Sequence, residues 1–312
     1  MKILITGRNG QLGWELERRL SAGPYEVVAL GRAELDLGDT AAIAPCIERH
    51  RPALVVNAAA YTAVDRAQAE PDLAMRVNAD APGEIATACA RIGAALVHFS
   101  TDYVFDGTKP GRWTENDSCG PLNVYGASKL EGERAIAAAG AAAVVLRTSW
   151  VFGEHGGNFA RTMLRLATER DTLRVVADQH GVPTWTARLA DTVASMADAA
   201  ADAAEPAAFA RWFAERAGVY HAAPAGATTW HGYAQHVIAT ATREPAFSAR
   251  LRVRAEAIEP IPTAAFPTPA ARPANSLLDC GKLERVFGIA WPQWQDDVAE
   301  CVRRMLAASS SA

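Results

Sequence analysis

Short apolar runs alternate with segments whose apolar positions recur every third or fourth residue, and this rhythm holds through the first half of the chain. Lys2 to Thr6 reads as a strand, followed by a glycine-rich turn and a helix with Leu12, Leu16 and Leu20 on one face. Tyr25 to Leu30 reads as a second strand, and Asp39 is placed to cap a helix running to about Arg49. The run Leu54-Val55-Val56 makes Pro52 to Asn57 a third strand. A helix is expected over roughly Pro71 to Ile92, and Ala94 to Ser100 gives a fourth strand. After a long loop, Val124 to about Ala139 reads as a helix and Ala143 to Arg147 as a fifth strand. Short, wholly apolar strands alternating with helices predict an α/β fold, a Rossmann-type doubly wound parallel sheet covered on both faces. Such sheets hold ligands at the carboxyl ends of their strands.

Beyond Trp150 the rhythm breaks. Arg174 to Val176 and Val219 to Ala222 are candidates for further strands of the same sheet. Arg188 to Ala204 reads as a helix whose end, Ala199 through Pro206, is a low-complexity surface run. Thr229 to Thr242 and Asp296 to Leu306 read as two more helices. Pro260, Pro262, Pro267, Pro269 and Pro273 mark an extended, loop-rich stretch, and the last residues, from Ser309 to Ala312, are expected to fray. The expected division is a Rossmann NAD(P)-binding domain from residues 1–150 plus about 171–223. A smaller, irregular α/β substrate lobe would come from about 151–170 and 224–312.

Composition narrows the classes. Half of the 312 residues are hydrophobic, which supplies one large or two unequal cores. The net charge of −4 is spread without a basic stripe, so neither nucleic acid nor a membrane surface is an expected partner. A first strand beginning at Lys2 leaves no room for a signal peptide, and no apolar run is long enough to span a bilayer. The five cysteines are scattered and form no CxxC, so a disulfide framework or zinc site is not expected and a reducing cytoplasm fits.

The turn after the first strand reads Gly7-Arg8-Asn9-Gly10-Gln11-Leu12-Gly13. One glycine permits a tight turn, another lets backbone approach a pyrophosphate, and the third lets the helix pack closely on the strand. The helix N-terminus then offers free N–H groups to phosphate. In this strand–turn–helix context the triplet predicts a dinucleotide site. No acidic residue stands at Gly31, where one would hold the ribose 2′-hydroxyl of NAD, while Arg32 either meets a 2′-phosphate or faces solvent. NADPH is the expected cofactor, with NADH still possible, and Asp36 and Leu37 are placed to flank the adenine. Ala58, Ala59, Ala60, Tyr61 and Thr62 follow the third strand. Their small members either let backbone lie against the cofactor or form a helix–sheet joint.

Tyr125 and Lys129 are four residues apart on a predicted helix, which puts a phenol and an ammonium on one face. A cation beside a phenol favours the phenolate and makes it a usable general acid for a carbonyl being reduced. A tyrosine and a lysine on a solvated face share that spacing, so the pair gains meaning from its company. Thr101 ends the fourth strand in Ser100-Thr101-Asp102-Tyr103-Val104-Phe105, where its hydroxyl can position a carbonyl oxygen.

These motifs, in this order, resemble those of the extended short-chain dehydrogenase/reductases and, within them, the dTDP-4-dehydrorhamnose reductase family. The likeness extends through Asn57-Ala58-Ala59-Ala60-Tyr61-Thr62-Ala63-Val64-Asp65, Arg147-Thr148-Ser149-Trp150, Gln179-His180-Gly181-Val182-Pro183-Thr184 and Arg272-Pro273-Ala274-Asn275, covering Lys2 to Asp279. It implies NAD(P)H-dependent reduction at C4 of dTDP-4-dehydro-L-rhamnose to dTDP-L-rhamnose, which feeds cell-surface polysaccharide such as lipopolysaccharide. By the same likeness Tyr125 protonates the alkoxide, and Lys129 lowers the Tyr125 pKa and bonds the nicotinamide ribose. Thr101 positions the carbonyl. Val64, Asp102, Tyr103 and Trp150 line the sugar site, although Trp150 also reads as a core residue. Asn158, Gln179 and Arg272 are further substrate contacts. Dehydratases of this superfamily carry an Asp-Glu pair after the threonine; Tyr103 replaces the glutamate here, which disfavours elimination. A cofactor-binding but catalytically silent regulatory subunit, or an epimerase, remains the alternative. Some relatives bridge subunits with Mg2+. Glu15 matches one such position, but Arg188 and its neighbours stand where acidic partners belong. Glu15 is therefore read as a solvated helix residue, with Mg2+ and the choice of monomer or homodimer left open.

Overall fold

The computed structural model describes residues 1–202 and 206–310. The first half builds β1 (Lys2–Thr6), α1 (Gln11–Ser21), β2 (Glu26–Leu30), α2 (Ile43–His50) and β3 (Leu54–Asn57). There follow α3 (Val64–Ala67), α4 (Pro71–Met75), α5 (Ala81–Ile92), β4 (Ala95–Thr101), α6 (Val124–Ala138) and β5 (Ala142–Thr148). Next come β6 (Val151–Phe152), α7 (Phe159–Glu169), β7 (Arg174–Val176), β8 (His180–Gly181), β9 (Thr184–Trp185), α8 (Thr186–Ala201) and α9 (Pro206–Ala214). The chain closes with β10 (Gly218–His221), β11 (Thr228–Thr229), α10 (Trp230–Ala241), α11 (Pro245–Ser248), β12 (Glu259–Ile261), α12 (Gly281–Phe287) and α13 (Trp294–Ser310).

Six strands form one parallel sheet in the order β10-β5-β4-β3-β1-β2. Side chains alternate across it, as the two-residue period of a strand requires. Ile3 and Ile5 join a core with Leu12, Leu16, Leu20 and Val193 of α1 and α8, whereas Leu4 and Val55 join Ile47 and Ile85 of α2 and α5 on the other face. The doubly wound expectation is met. From the central β1 the chain goes first to β2 and then crosses to β3, so the strand order reverses between β1 and β3. That switch point opens a crevice for a ligand.

Three expectations need correction. Val219 to Ala222 does add a sixth strand, but Arg174–Val176 does not join the sheet; it pairs in parallel with Glu259–Ile261. A three-residue apolar run says nothing about which partner it will find. Asp39 makes no side-chain cap, because a 3₁₀ turn over Thr40–Ala42 precedes α2. The helix expected over 71–92 is broken by a π-helical turn at Arg76–Asp80. Pro82 explains it, since a proline ring inside a helix displaces the carbonyl four residues back, here that of Asn78. The expected end of the 188–204 helix and the last two residues fall partly outside the described residues; α8 ends at Ala201, and α13 runs to Ser310.

The later chain packs its own core from Phe152, Trp185, Tyr233, Val237, Trp294 and Val298. It adds three two-stranded ladders, β11 with β8, β12 with β7, and β6 with β9. No helix among the described residues is long and apolar enough to cross a membrane.

Candidate active site

β1 ends at Thr6 and the chain turns at Gly7, whose φ of +79° lies in the region glycine occupies at little cost. α1 starts hard against this turn, for a Cβ on Gly13 would lie 2.0 Å from the Gly7 carbonyl oxygen. Gly10 supplies no side-chain cap. The first amides of α1 are therefore left for an anion. Gly7, Asn9, Gly10, Gln11 and Leu12 line one end of a cleft of about 780 Å³, within the usual range for small-molecule sites. Gly13 is behind the wall and acts through packing. Arg32, Asp36 and Leu37 line the same end, joined by Leu35, and Ala58, Ala59, Ala60, Tyr61, Thr62 and Val64 form the adjoining side. An open glycine turn, uncapped amides and a wall of alanines fit a dinucleotide.

Arg32 bonds Asp36 at 3.1 Å and is otherwise exposed. Nearby, Arg8 pairs with Glu34 at 3.0 Å, and the Glu34 carboxylate also accepts the Gly31 N–H at 2.9 Å. Those contacts hold the Glu34 carboxyl below its ordinary pKa, with the Gly31 N–H the larger cause. Arg8 fills an unspecified position of the glycine turn and Glu34 stands in no motif, so no local pattern marks them.

The chemical end of the cleft is built on β4 and α6. Asn123 caps α6, its Oδ1 accepting the Gly126 N–H at 2.8 Å. Gly126 lets this first turn press on the backbone after β4, because a Cβ there would lie 2.1 Å from the Tyr103 carbonyl oxygen. Tyr125 is thereby set beside Thr101 and edge-on to Tyr103, ring centroids 5.7 Å apart. The Thr101 hydroxyl donates to Asp102 Oδ1 at 3.0 Å. Thr101, Asp102, Tyr103, Tyr125, Lys129 and Trp150 all line the cleft.

Lys129 does not do what its spacing promised. Its Nζ is turned down to the Phe99 carbonyl at 2.6 Å and to His98 Nε2 at 3.1 Å. Tyr125 is pushed up to about 12, chiefly by burial, with the Thr101 hydroxyl opposing and the Asp102 charge adding to it. No lowering by Lys129 is present in this arrangement. Burial also brings Lys129 down to about 8 against the pull of Glu133, and raises Asp102 to about 6, with the nearby Ser276 and Thr101 hydroxyls opposing.

Trp150 has a φ of +45° and stacks on Trp230 with centroids 3.7 Å apart, making the flat wall across the cleft. A backbone held there in a non-glycine residue points to a functional constraint. Trp230, Phe159 and Tyr233 complete this aromatic side. They come from the irregular half of the chain, where the local signals are the cap residues Asn158 before α7 and Thr229 before α10. Asn158 lines the cleft, caps α7, and donates to Gln11 Oε1 at 3.0 Å. Gln179 and Arg272 do not reach the cleft wall. Gln179 donates to Thr263 Oγ1 at 3.1 Å, and Arg272 pairs with Asp65 at 2.9 Å.

Asn78 went unnoticed in the sequence. From the π turn it accepts the Tyr61 N–H at 2.8 Å and donates to the Tyr61 carbonyl and to Ser128 Oγ, each at 3.0 Å. It thereby clamps the 58–62 loop to the helix that bears Tyr125. Glu15 also departs from expectation. It is 1% exposed and paired with Arg18, not solvated. Arg188 pairs with Asp297 at 2.8 Å, and among the described residues no group of three His, Cys, Asp or Glu gathers to hold a metal ion.

A dinucleotide cradle at the switch point, in one cleft with a threonine, a tyrosine and a lysine, defines an NAD(P)-dependent oxidoreductase of the short-chain dehydrogenase/reductase class. The family described as RmlD substrate binding domain matches residues 1–307. The dTDP-4-dehydrorhamnose reductase of Burkholderia thailandensis is 48% identical over 307 residues, covering 98% of this chain and 100% of the relative. The chain belongs to the dTDP-4-dehydrorhamnose reductase family. Among solved structures, a Clostridium acetobutylicum dTDP-4-dehydrorhamnose reductase superposes with a TM-score of 0.86 at 34% identity, covering 98% of this chain and 100% of that one. The Bacillus anthracis enzyme, solved in complex with NADP, has a TM-score of 0.84 at 32% identity, with 97% and 99% covered.

Proposed function

We propose that this chain reduces the C4 keto group of dTDP-4-dehydro-L-rhamnose to give dTDP-L-rhamnose, with NADPH as the preferred reductant. The observation that carries the reading is the convergence of Thr101, Tyr125 and Lys129 on the same cleft as the Gly7–Gly13 turn. The bound nicotinamide nucleotide supplies the hydride. Thr101 orients the carbonyl oxygen by a hydrogen bond, and Tyr125 delivers its proton to that oxygen as charge develops. A phenol held protonated by burial keeps that proton through the neutral range. Lys129 is the residue that would hold the cofactor ribose. Val64, Asp102, Tyr103, Trp150 and Asn158 surround the sugar nucleotide, and the aromatic wall excludes water. The six-stranded part binds the nucleotide cofactor, and the part from about 151–170 and 224–312 closes over the sugar.

The test is direct: purified protein with the 4-keto sugar nucleotide should consume NADPH and form the 4-hydroxy sugar. Cofactor binding without turnover would identify a silent binding subunit instead.

Cofactor choice has its own test. Arg32 is free enough to meet a 2′-phosphate, and hydrogen bonds to charged groups contribute roughly 1.5–3 kcal/mol. Arg32→Ala should therefore weaken NADPH binding about tenfold or more while leaving NADH binding nearly unchanged. Equal affinity of the unaltered protein for both cofactors would remove the preference.

A further inference from the structure

Neighbouring strands in register carry side chains at equal heights on one face. Thr6 of β1 stands opposite Asn57 of β3, and Asn57 opposite His98 of β4. All three are buried, and hydrogen bonds join them in a row. The Thr6 hydroxyl donates to Asn57 Oδ1 at 2.6 Å, the Asn57 amide nitrogen is 2.9 Å from His98 Nδ1, and His98 Nε2 is 3.1 Å from Lys129 Nζ. The Ala59 N–H donates to Thr6 Oγ1 at 3.4 Å at the far end. The row thus runs under the cleft from the 58–60 loop to the lysine.

A neutral imidazole has one N–H and one lone pair. His98 is kept neutral by burial first and by the Lys129 charge second, which hold its pKa well below the usual value. With Asn57 turned as described, its NH2 faces the ring. Nδ1 then accepts, and the ring proton sits on Nε2, opposite a lysine with a free lone pair. Turning the amide over and moving the ring proton to Nδ1 frees a lone pair on Nε2 for an ammonium. Amide orientation and ring tautomer are the two quantities such a network adjusts. Each charge state of Lys129 therefore has a bonded arrangement in a place closed to water, where an unpartnered ammonium would be costly.

We infer that His98 is a positioning residue for the reduction: its Nε2 holds Lys129 Nζ beneath the cleft and bonds it in both charge states. The inference rests on the reductase reading and adds a residue to it. The other charged group acting on Lys129 is Glu133, one turn along α6 and paired with Arg147 of β5; Tyr125 and Asp102 line the same cleft.

The experiment compares His98→Leu and His98→Gln with the unaltered protein. Glutamine retains a donor and an acceptor at about the reach of Nε2; leucine retains bulk alone. Hydrogen bonds to the ammonium are about twice as strong as those to a neutral amine, so leucine should lower the Lys129 pKa further. In His98→Leu, kcat should fall about 10- to 100-fold and its alkaline limb should move to lower pH, while His98→Gln recovers to within about threefold. NADPH binding followed against pH gives a readout that needs no sugar. The pH above which affinity falls should move down in the leucine variant and stay in place in the glutamine variant. An unchanged binding profile in His98→Leu, or a glutamine variant that behaves like it, overturns the inference. Unaltered protein that binds NADPH but reduces no sugar nucleotide sinks the reductase reading alone, and the binding profiles still decide for His98.

Discussion

Tyr125→Phe should bind NADPH as the unaltered protein does and lose about 10²- to 10⁴-fold in kcat/KM for the 4-keto sugar, the usual contribution of a positioned general acid. The substitution removes one oxygen and leaves the ring that meets Tyr103 edge-on. What disappears is the proton beside Thr101. Stopped-flow absorbance of NADPH under single-turnover conditions reads the chemical step directly, and a near-normal rate would take Tyr125 out of the mechanism. The pH dependence of the unaltered protein should follow Lys129, not the phenol. The lysine is brought down to about 8 by burial, whereas the phenol is pushed up to about 12. A group with a lowered cationic pKa is charged below that value and neutral above it. The ammonium that would hold the cofactor ribose is thus present at neutral pH and lost as pH rises through about 8. Activity in the reducing direction should decline there, well before an ordinary phenol would titrate.

What could be read from the chain and what could not follows a physical line. The glycine turn, the apolar strands and the Tyr125–Lys129 spacing are local, and local geometry is written in local sequence. Gly13 packs on Gly7 because both lie in one strand–turn–helix unit. The direction in which Lys129 points is not local. Its Nζ lies against Phe99 and His98, about thirty positions earlier in the chain, and no spacing rule announces that contact. Asn78 is an instructive middle case. Pro82 is a local cause of the break in the helix expected over 71–92, but that the freed turn would grip Tyr61 depends on the 58–62 loop arriving from another strand. The later half was least legible. Its short strands find partners far away, so Arg174–Val176 pairs with β12 and not with the large sheet. Gln179 and Arg272, which the resemblance makes sugar contacts, bond Thr263 and Asp65 in this structure, and no local pattern in the sequence announces either contact. Trp230, which no motif marked, stacks on the one tryptophan whose backbone is left-handed.

The second large effect is on stability, and it reaches the site through the helix that carries it. Glu133→Gln should lower unfolding free energy by about 3–5 kcal/mol, the usual cost of removing one partner from a buried ion pair. Glu133 of α6 and Arg147 of β5 are each 5% exposed. Arg147 donates through Nε at 2.9 Å and through Nη2 at 2.6 Å, and Ser100 of β4 donates to the same carboxylate at 2.5 Å. The guanidinium also lies over the Phe105 ring, 5.1 Å from its centroid. One carboxylate therefore ties α6 to two strands of the sheet, one turn beyond Lys129 and next to Thr101. Glutamine is nearly the same size but sets an NH2 against an Arg147 N–H, donor against donor, and leaves a cation without its counter-charge. Thermal denaturation should show a fall of about 10 °C for a chain of this size. Glu133→Leu combined with Arg147→Met removes both charges together and should recover much of the loss, because an apolar pair of similar volume carries no desolvation cost. A Glu133→Gln protein melting within about 1 °C of the unaltered one would mean the buried pair contributes little. The anchoring of α6 would then have to lie in the Asn123 cap and the Gly126 contact alone.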